Sequence, residues 1–162
     1  MFKRIRKESL TQLSERSHTP QITIRKQVLH DIMYSLASRN PESGGILLGP
    51  IGTTDVTDFY FDKNAKCTSG TYSPDIETLR HHLKTVCQPR NIDFKGFAHS
   101  HPKEYDKPSQ GDIRYIKRLL AINPEDSMFF APIIIAHQFR MVPYVIQRER
   151  QDTPVIANLN IV

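Results

Sequence analysis

A chain of 162 residues with 38% hydrophobic and 24% charged residues is long enough to bury one sizeable core, too short for two, and too ordinary in composition for a disordered chain. Its apolar runs fall well short of the roughly 20 residues that cross a bilayer, and no apolar stretch follows the N-terminal charges, so neither a membrane partner nor export is expected and the cytoplasm is the expected compartment. The net charge of +5 favours an acidic partner without choosing among protein, nucleic acid and lipid.

Residues 1–20, with Lys3, Arg4, Arg6 and Lys7 near the start, read as a basic, flexible arm, and residues 21–162 as one domain. Gln21 to Ile24 alternate as a short strand, and Val28, Leu29, Ile32, Met33 and Leu36 recur at helical spacing from about Lys26 to Ser38. Asn40-Pro41 stops that helix. Glu42 to Gly52 reads as a buried strand bracketed by glycines, and Asp55 to Asp62 as the next strand. Lys63 to Thr71 reads as loop. Ser73-Pro74 followed by early acids predicts a helix over Pro74 to Cys87 that ends at Pro89. Asp93 to His99 is a strand, Pro102 to Pro108 a loop, and Ser109 opens a helix with Ile113, Ile116, Leu119 and Leu120 inward. Met128 to Ile135 and Arg140 to Gln147 are β-rich segments joined by a turn near His137 to Phe139, and Val155 to Val162 is an edge strand or a docked tail. This order predicts an α/β domain, a mixed β-sheet flanked by helices.

Two cysteines far apart, Cys67 and Cys87, read as free thiols. His81-His82 share no helix face and make a poor metal pair, while His18, His30 and His137 stand alone. The chemistry concentrates between His99 and Asp112. On an extended chain residues i and i+2 share a face, so His99 and His101 can present both imidazoles to one ion while Ser100 faces away. Asp112, in the first turn of the next helix, can fold back as a third ligand. Two nitrogens, a carboxylate and one water make the open tetrahedral zinc site of a catalyst, with one Zn²⁺ per chain. Ser109-x-x-Asp112 is equally a capping box. The two readings of Ser109 are compatible, and the sequence leaves both open.

The full pattern, His99-x-His101-Pro102, six residues, then Ser109-x-x-Asp112, resembles the motif of the JAMM metalloprotease family, also called JAB or MPN-plus. Glu42, ahead of Gly44-Gly45-Ile46-Leu47-Leu48-Gly49, resembles the family's upstream glutamate, and the likeness spans about Gln21 to Gln147. The resemblance implies a fold like that of the cytidine deaminases, zinc held by His99, His101 and Asp112, Glu42 as general base, and Ser109 as oxyanion donor. A non-ligand carboxylate brought in from another strand end also suits the proton transfer on chemical grounds. His-Glu-x-x-His is absent, and so is the deaminase Pro-Cys-x-x-Cys.

What the resemblance implies about function is an isopeptidase or peptidase acting after the C-terminal tail of a ubiquitin or ubiquitin-like protein, in deconjugation or maturation. Asp112 to Met128 lacks the His and Cys of a second zinc-bearing insertion, a departure that points to a compact prokaryotic-type member. Such members accompany ubiquitin-activating and conjugating enzymes, in systems that include antiphage defence. Two alternatives stand beside this reading. One is a peptidase processing the C-terminus of a sulfur-carrier protein; the other is a non-catalytic scaffold or nucleic-acid-binding domain, ranked last because all five site positions are filled.

Overall fold

The computed structural model describes residues 19–68 and 70–162; the arm expected over residues 1–20 lies outside them except for Thr19 and Pro20, as does His18. In chain order the elements are β1 (Gln21–Ile24), α1 (Lys26–Ala37), β2 (Gly44–Pro50), β3 (Asp55–Val56), β4 (Asp58–Phe61), β5 (Lys66–Thr68), β6 (Thr71–Ser73) and α2 (Ile76–His82). A π turn (Leu83–Cys87) and a 3-10 turn (Gln88–Arg90) extend α2. Then come β7 (Ile92–His101), α3 (Gln110–Ile122), β8 (Met128–Phe130), β9 (Ile133–Ile135), β10 (Arg140–Val142), β11 (Tyr144–Gln147), a 3-10 turn (Arg148–Arg150), β12 (Val155–Ile156) and β13 (Asn158–Ile161).

The expected α/β architecture is present. In the main sheet β4 and β7 flank β2 in antiparallel pairing, β7 runs parallel to β8 and β9, and β11 and β10 return antiparallel, with β12 at the far edge. A small parallel sheet, β13–β1–β3, stands beside it. Successive strand residues point to opposite faces, which sorts the core into two layers. Leu47, Ala98, Phe130 and Val145 meet Val28, Ile32 and Leu36 of α1. Their neighbours Ile46, Phe97, Phe129 and Ile146 meet Leu79 of α2 and Ile113, Ile116 and Leu120 of α3. Each fully buried aliphatic side chain contributes about 1.5–3 kcal/mol.

Several expected boundaries shift, each for a physical reason. The strand expected over Asp55 to Asp62 divides at Thr57, whose amide bonds to Leu48 O at 2.9 Å; the chain leaves the small sheet there and joins the large one. The segment Lys63 to Thr71, expected as loop, contains β5, which forms a hairpin with β6. The helix expected from Pro74 starts at Ile76. Asp75, rather than Ser73, caps it, taking the Thr78 amide at 3.3 Å and the Thr78 hydroxyl at 2.7 Å. Pro89 lies inside the 3-10 turn, and the chain turns at Asn91 in the left-handed region. Pro132 and Pro143 split the two β-rich segments at the same level, since Val142 pairs with Ile133 and Val145 with Phe130. A proline lacks the amide a ladder needs, so each strand breaks while the register carries through.

One irregularity bears on everything downstream. Leu47 pairs with Gly96 but Leu48 pairs with Phe94, leaving Lys95 as an extra residue in β7. Gly96 has φ 149°, and a Cβ there would lie 1.7 Å from Phe130 O, so only glycine lets β8 approach. The bulge puts Phe94 and Phe97 on one face, and His99 and His101 follow on that same face.

Candidate metal centre

β7 ends at His101, and the site lies on the face that α2 and α3 cover. The His99 and His101 side chains are buried, their Nε2 atoms 2.8 Å apart. His101 Nδ1 donates to the Tyr105 carbonyl at 3.0 Å. That bond places the ring proton on Nδ1 and leaves the Nε2 lone pair facing inward. Tyr72 lies over His99, ring centroids 6.0 Å apart and planes 18° apart.

Asp112 arrives from the first turn of α3. Ser109 and Asp112 form a reciprocal capping box: the Ser109 hydroxyl accepts from the Asp112 amide at 3.2 Å, and the Ser109 amide donates to Asp112 Oδ2 at 2.6 Å. The cap turns the carboxylate toward the imidazoles, with Oδ1 3.2 Å from His99 Nε2 and Oδ2 3.5 Å from His101 Nε2. Burial pushes the Asp112 carboxyl up, but its bonds to His101 and His99, the His99 charge and Ser109 outweigh that and hold it far below the usual carboxylate range. Burial likewise pushes the His101 imidazole down, and the facing Asp112 and Glu42 carboxylates outweigh it, leaving it above its ordinary value.

Glu42 comes from the other side. Gly44 pairs with His99; extending that antiparallel register by two residues sets Glu42 opposite His101. Its backbone is left-handed, φ 58°, and its buried side chain brings Oε2 to 3.9 Å from His101 Nε2. Burial raises the Glu42 carboxyl above its ordinary value, partly offset by His101 and His99 and reinforced by Asp112.

Glu42, His99 and His101 form a buried group whose donor atoms lie within 4.8 Å of one another, close enough to hold a metal ion. Asp112 lies closer to both imidazoles than Glu42 does. A tetrahedral ion with bonds of about 2.0–2.1 Å spaces its donors about 3.3–3.4 Å apart. The Asp112 separations, one from each carboxylate oxygen, lie near that spacing, the two imidazole nitrogens at 2.8 Å are closer than it, and the Glu42 separation exceeds it. Two nitrogens and one hard oxygen form a donor set that suits zinc.

The site opens into a cleft of about 1200 Å³, walled by Tyr72, Ser73, Phe97, Tyr115 and the 102–109 segment. The structure thus brings Glu42, His99, His101 and Asp112 together, with Ser109 on the cleft wall as the helix cap. Tyr105, in the loop after β7, contributes its carbonyl while its side chain is exposed. The sequence reading overlooked Asp62, a buried acid whose Oδ2 accepts from the Tyr72 hydroxyl at 3.1 Å and the Asp75 amide at 2.9 Å. Among the described residues Oδ1 of Asp62 has no hydrogen-bond partner. Its only sequence signal was an acid ending an aromatic strand. His82 stacks on Tyr60 with ring centroids 3.9 Å apart, and both cysteines are free. Among the described residues no helix is long and apolar enough to cross a membrane.

The fold has counterparts among solved structures. A solution structure of protein DSY2949 from Desulfitobacterium hafniense is 21% identical with a TM-score of 0.63, the match covering 87% of this chain and 92% of that one. The crystal structure of AF2198, a JAB1/MPN domain protein from Archaeoglobus fulgidus, is 17% identical with a TM-score of 0.50, covering 85% of this chain and 98% of that one. At such identities the likeness concerns the fold alone. No curated protein matches the sequence. The family model for prokaryotic homologs of the JAB domain matches residues 25–151, a span that holds β2, β7 and α3 with all the converging side chains, and the chain belongs to that family.

Proposed function

We propose that this protein is a cytoplasmic zinc-dependent peptidase or isopeptidase that hydrolyses the amide bond closing the extended tail of a ubiquitin-like protein. The observation that carries this reading is the meeting of His99, His101, Asp112 and Glu42 at one end of a cleft. His99, His101 and Asp112 would hold the ion, which supplies Lewis acidity toward a carbonyl and lowers the pKa of water. Glu42 stands one step further out, with its carboxyl raised above its ordinary value by burial, the direction that makes a carboxylate a stronger base. Its Oε2 takes the proton of the attacking water and passes it to the departing amine.

Ser109 fills both roles that its sequence allows. Capping uses one lone pair of the hydroxyl and leaves the O–H free to donate, here to the oxyanion developing on the substrate carbonyl. Tyr105 O holds the His101 tautomer. The outer edge of β6 carries no strand partner among the described residues, and Thr71, Tyr72 and Ser73 line the cleft. A tail laid along that edge gains main-chain hydrogen bonds while its end reaches the imidazoles.

The zinc-loaded protein should release the C-terminal adduct from a ubiquitin-like fusion, and Glu42→Gln should lower the rate by about 10²–10⁴-fold while keeping the zinc. A zinc-replete wild type that cleaves neither isopeptide-linked nor linear fusions, including sulfur-carrier fusions, would overturn the reading.

A further inference from the structure

Glu42 is held in an arrangement its own residue type disfavours, and the hold comes from the side of β7 away from the metal centre. The ladder between β2 and β7 ends at Gly44 and His99. Beyond it the Ser43 amide finds no backbone acceptor among the described residues and donates instead to Ser100 Oγ at 3.1 Å. The Ser43 carbonyl accepts from the Ser100 amide at 2.8 Å and from the Ser100 hydroxyl at 3.4 Å. Ser100 is fully buried, so water cannot take over those bonds. Ser43 also closes a tight turn through its hydroxyl to Asn40 O at 3.2 Å. Glu42, with φ 58°, sits inside this clamp, and a left-handed glutamate costs roughly 1–2 kcal/mol that neighbouring contacts must offset.

We infer that Ser100, the residue between the two imidazoles, is a positioning residue for Glu42: its hydroxyl extends the ladder by one side-chain rung and fixes the peptide that aims the Glu42 carboxylate across His101. One strand then serves both halves of the site. His99 and His101 would face the ion, and Ser100 between them steers the base. The inference rests on the peptidase reading for its kinetic consequence and on geometry alone for its structural one.

The test uses zinc-loaded wild type, Ser100→Ala, Ser100→Cys, Ser100→Thr, Glu42→Gln and Ser100→Ala/Glu42→Gln. Amide hydrogen exchange is followed at Ser43, and turnover on a ubiquitin C-terminal aminocoumarin amide. The Ser43 amide should exchange at least about tenfold faster in the Ala and Cys variants and return to the wild-type rate in Thr. With zinc content unchanged, kcat should fall about tenfold with KM held within about twofold, and Thr should restore it. In the Glu42→Gln background the Ala substitution should cost nothing further, because a base that is absent needs no aiming. Unchanged Ser43 protection in Ala and Cys, or an equal loss of kcat in the Glu42→Gln background, overturns the inference. A wild type without turnover strikes at the peptidase reading instead, and the exchange measurement still decides the role of Ser100.

Discussion

Asp112 carries two duties at one carboxylate. It completes the capping box of α3 and faces both imidazoles at 3.2 and 3.5 Å, so its loss is felt twice. Asp112→Ala should abolish tight zinc binding in a metal analysis of the purified protein and remove about 1 kcal/mol of helix capping; full zinc retention would hand the third-ligand role to Glu42. At this scale the sequence is informative where chemistry restricts residue type. His99, His101, Asp112 and Glu42 stand out because few side chains bind an ion or move a proton, and a fixed spacing ties three of them together. Ser100, the Tyr105 carbonyl and the Asp62–Tyr72 bond do not, because backbone atoms and register-dependent contacts carry no residue signature.

The elements that aim those residues are secured at their far ends. α3 is anchored at its C-terminus by Arg148, whose guanidinium donates to Leu120 O at 2.6 Å, a carbonyl that the helix end leaves unpaired, and to Asn123 O at 2.8 Å and Asp126 O at 2.8 and 3.0 Å in the turn that follows. Arg148→Ala should cost about 1–3 kcal/mol in urea unfolding; an unchanged midpoint would show water replacing the guanidinium. The β5–β6 hairpin is tied down by Asp62, which bonds Tyr72 and the Asp75 amide ahead of α2. Burial first, then the Asp62 charge, pushes the Tyr72 phenol up, so it remains a donor at working pH. Asp62→Ala should therefore loosen the cleft edge and raise KM more than it lowers kcat, and the reverse pattern would count against a role in binding. The hairpin hid in the sequence because Lys66 to Ser73 is short and polar, although Ser69-Gly70 is a turn dipeptide. Prolines act in the other direction: each β-rich segment reads as continuous through Pro132 or Pro143, and the two prolines are opposed breaks in one continuous register.

Across the whole molecule, the site joins segments that the core holds in separate layers. Glu42 precedes β2, the imidazoles end β7, and Asp112 begins α3, so an ion held there cross-links sheet to helix. With free zinc at about 100 times Kd, binding should add about 2.7 kcal/mol. Chelation should then lower Tm by roughly 5–10 °C, reversibly on adding zinc back; an unmoved Tm would mean no ion is bound. The layering itself was legible from helical and alternating periodicities, because burial on two faces leaves a pattern in residue type. The small β13–β1–β3 sheet was not, since parallel pairing between chain ends has no local signal.

The bulge at Lys95 turns the strand into a reading frame. A residue lost at Phe97 or Ala98, past the bulge, reverses which face the imidazoles occupy, moving them from the α3 side to the α1 side without altering a residue of the metal centre. Lys95 is the exception, for its removal would restore a regular ladder with Leu47 still opposite Gly96 and Leu48 opposite Phe94. A scan of single-residue deletions through β7 should therefore find that metal binding survives at Lys95 and is lost at Phe97 and Ala98, marking the bulge as the place where the strand can be shortened and the site keep its facing.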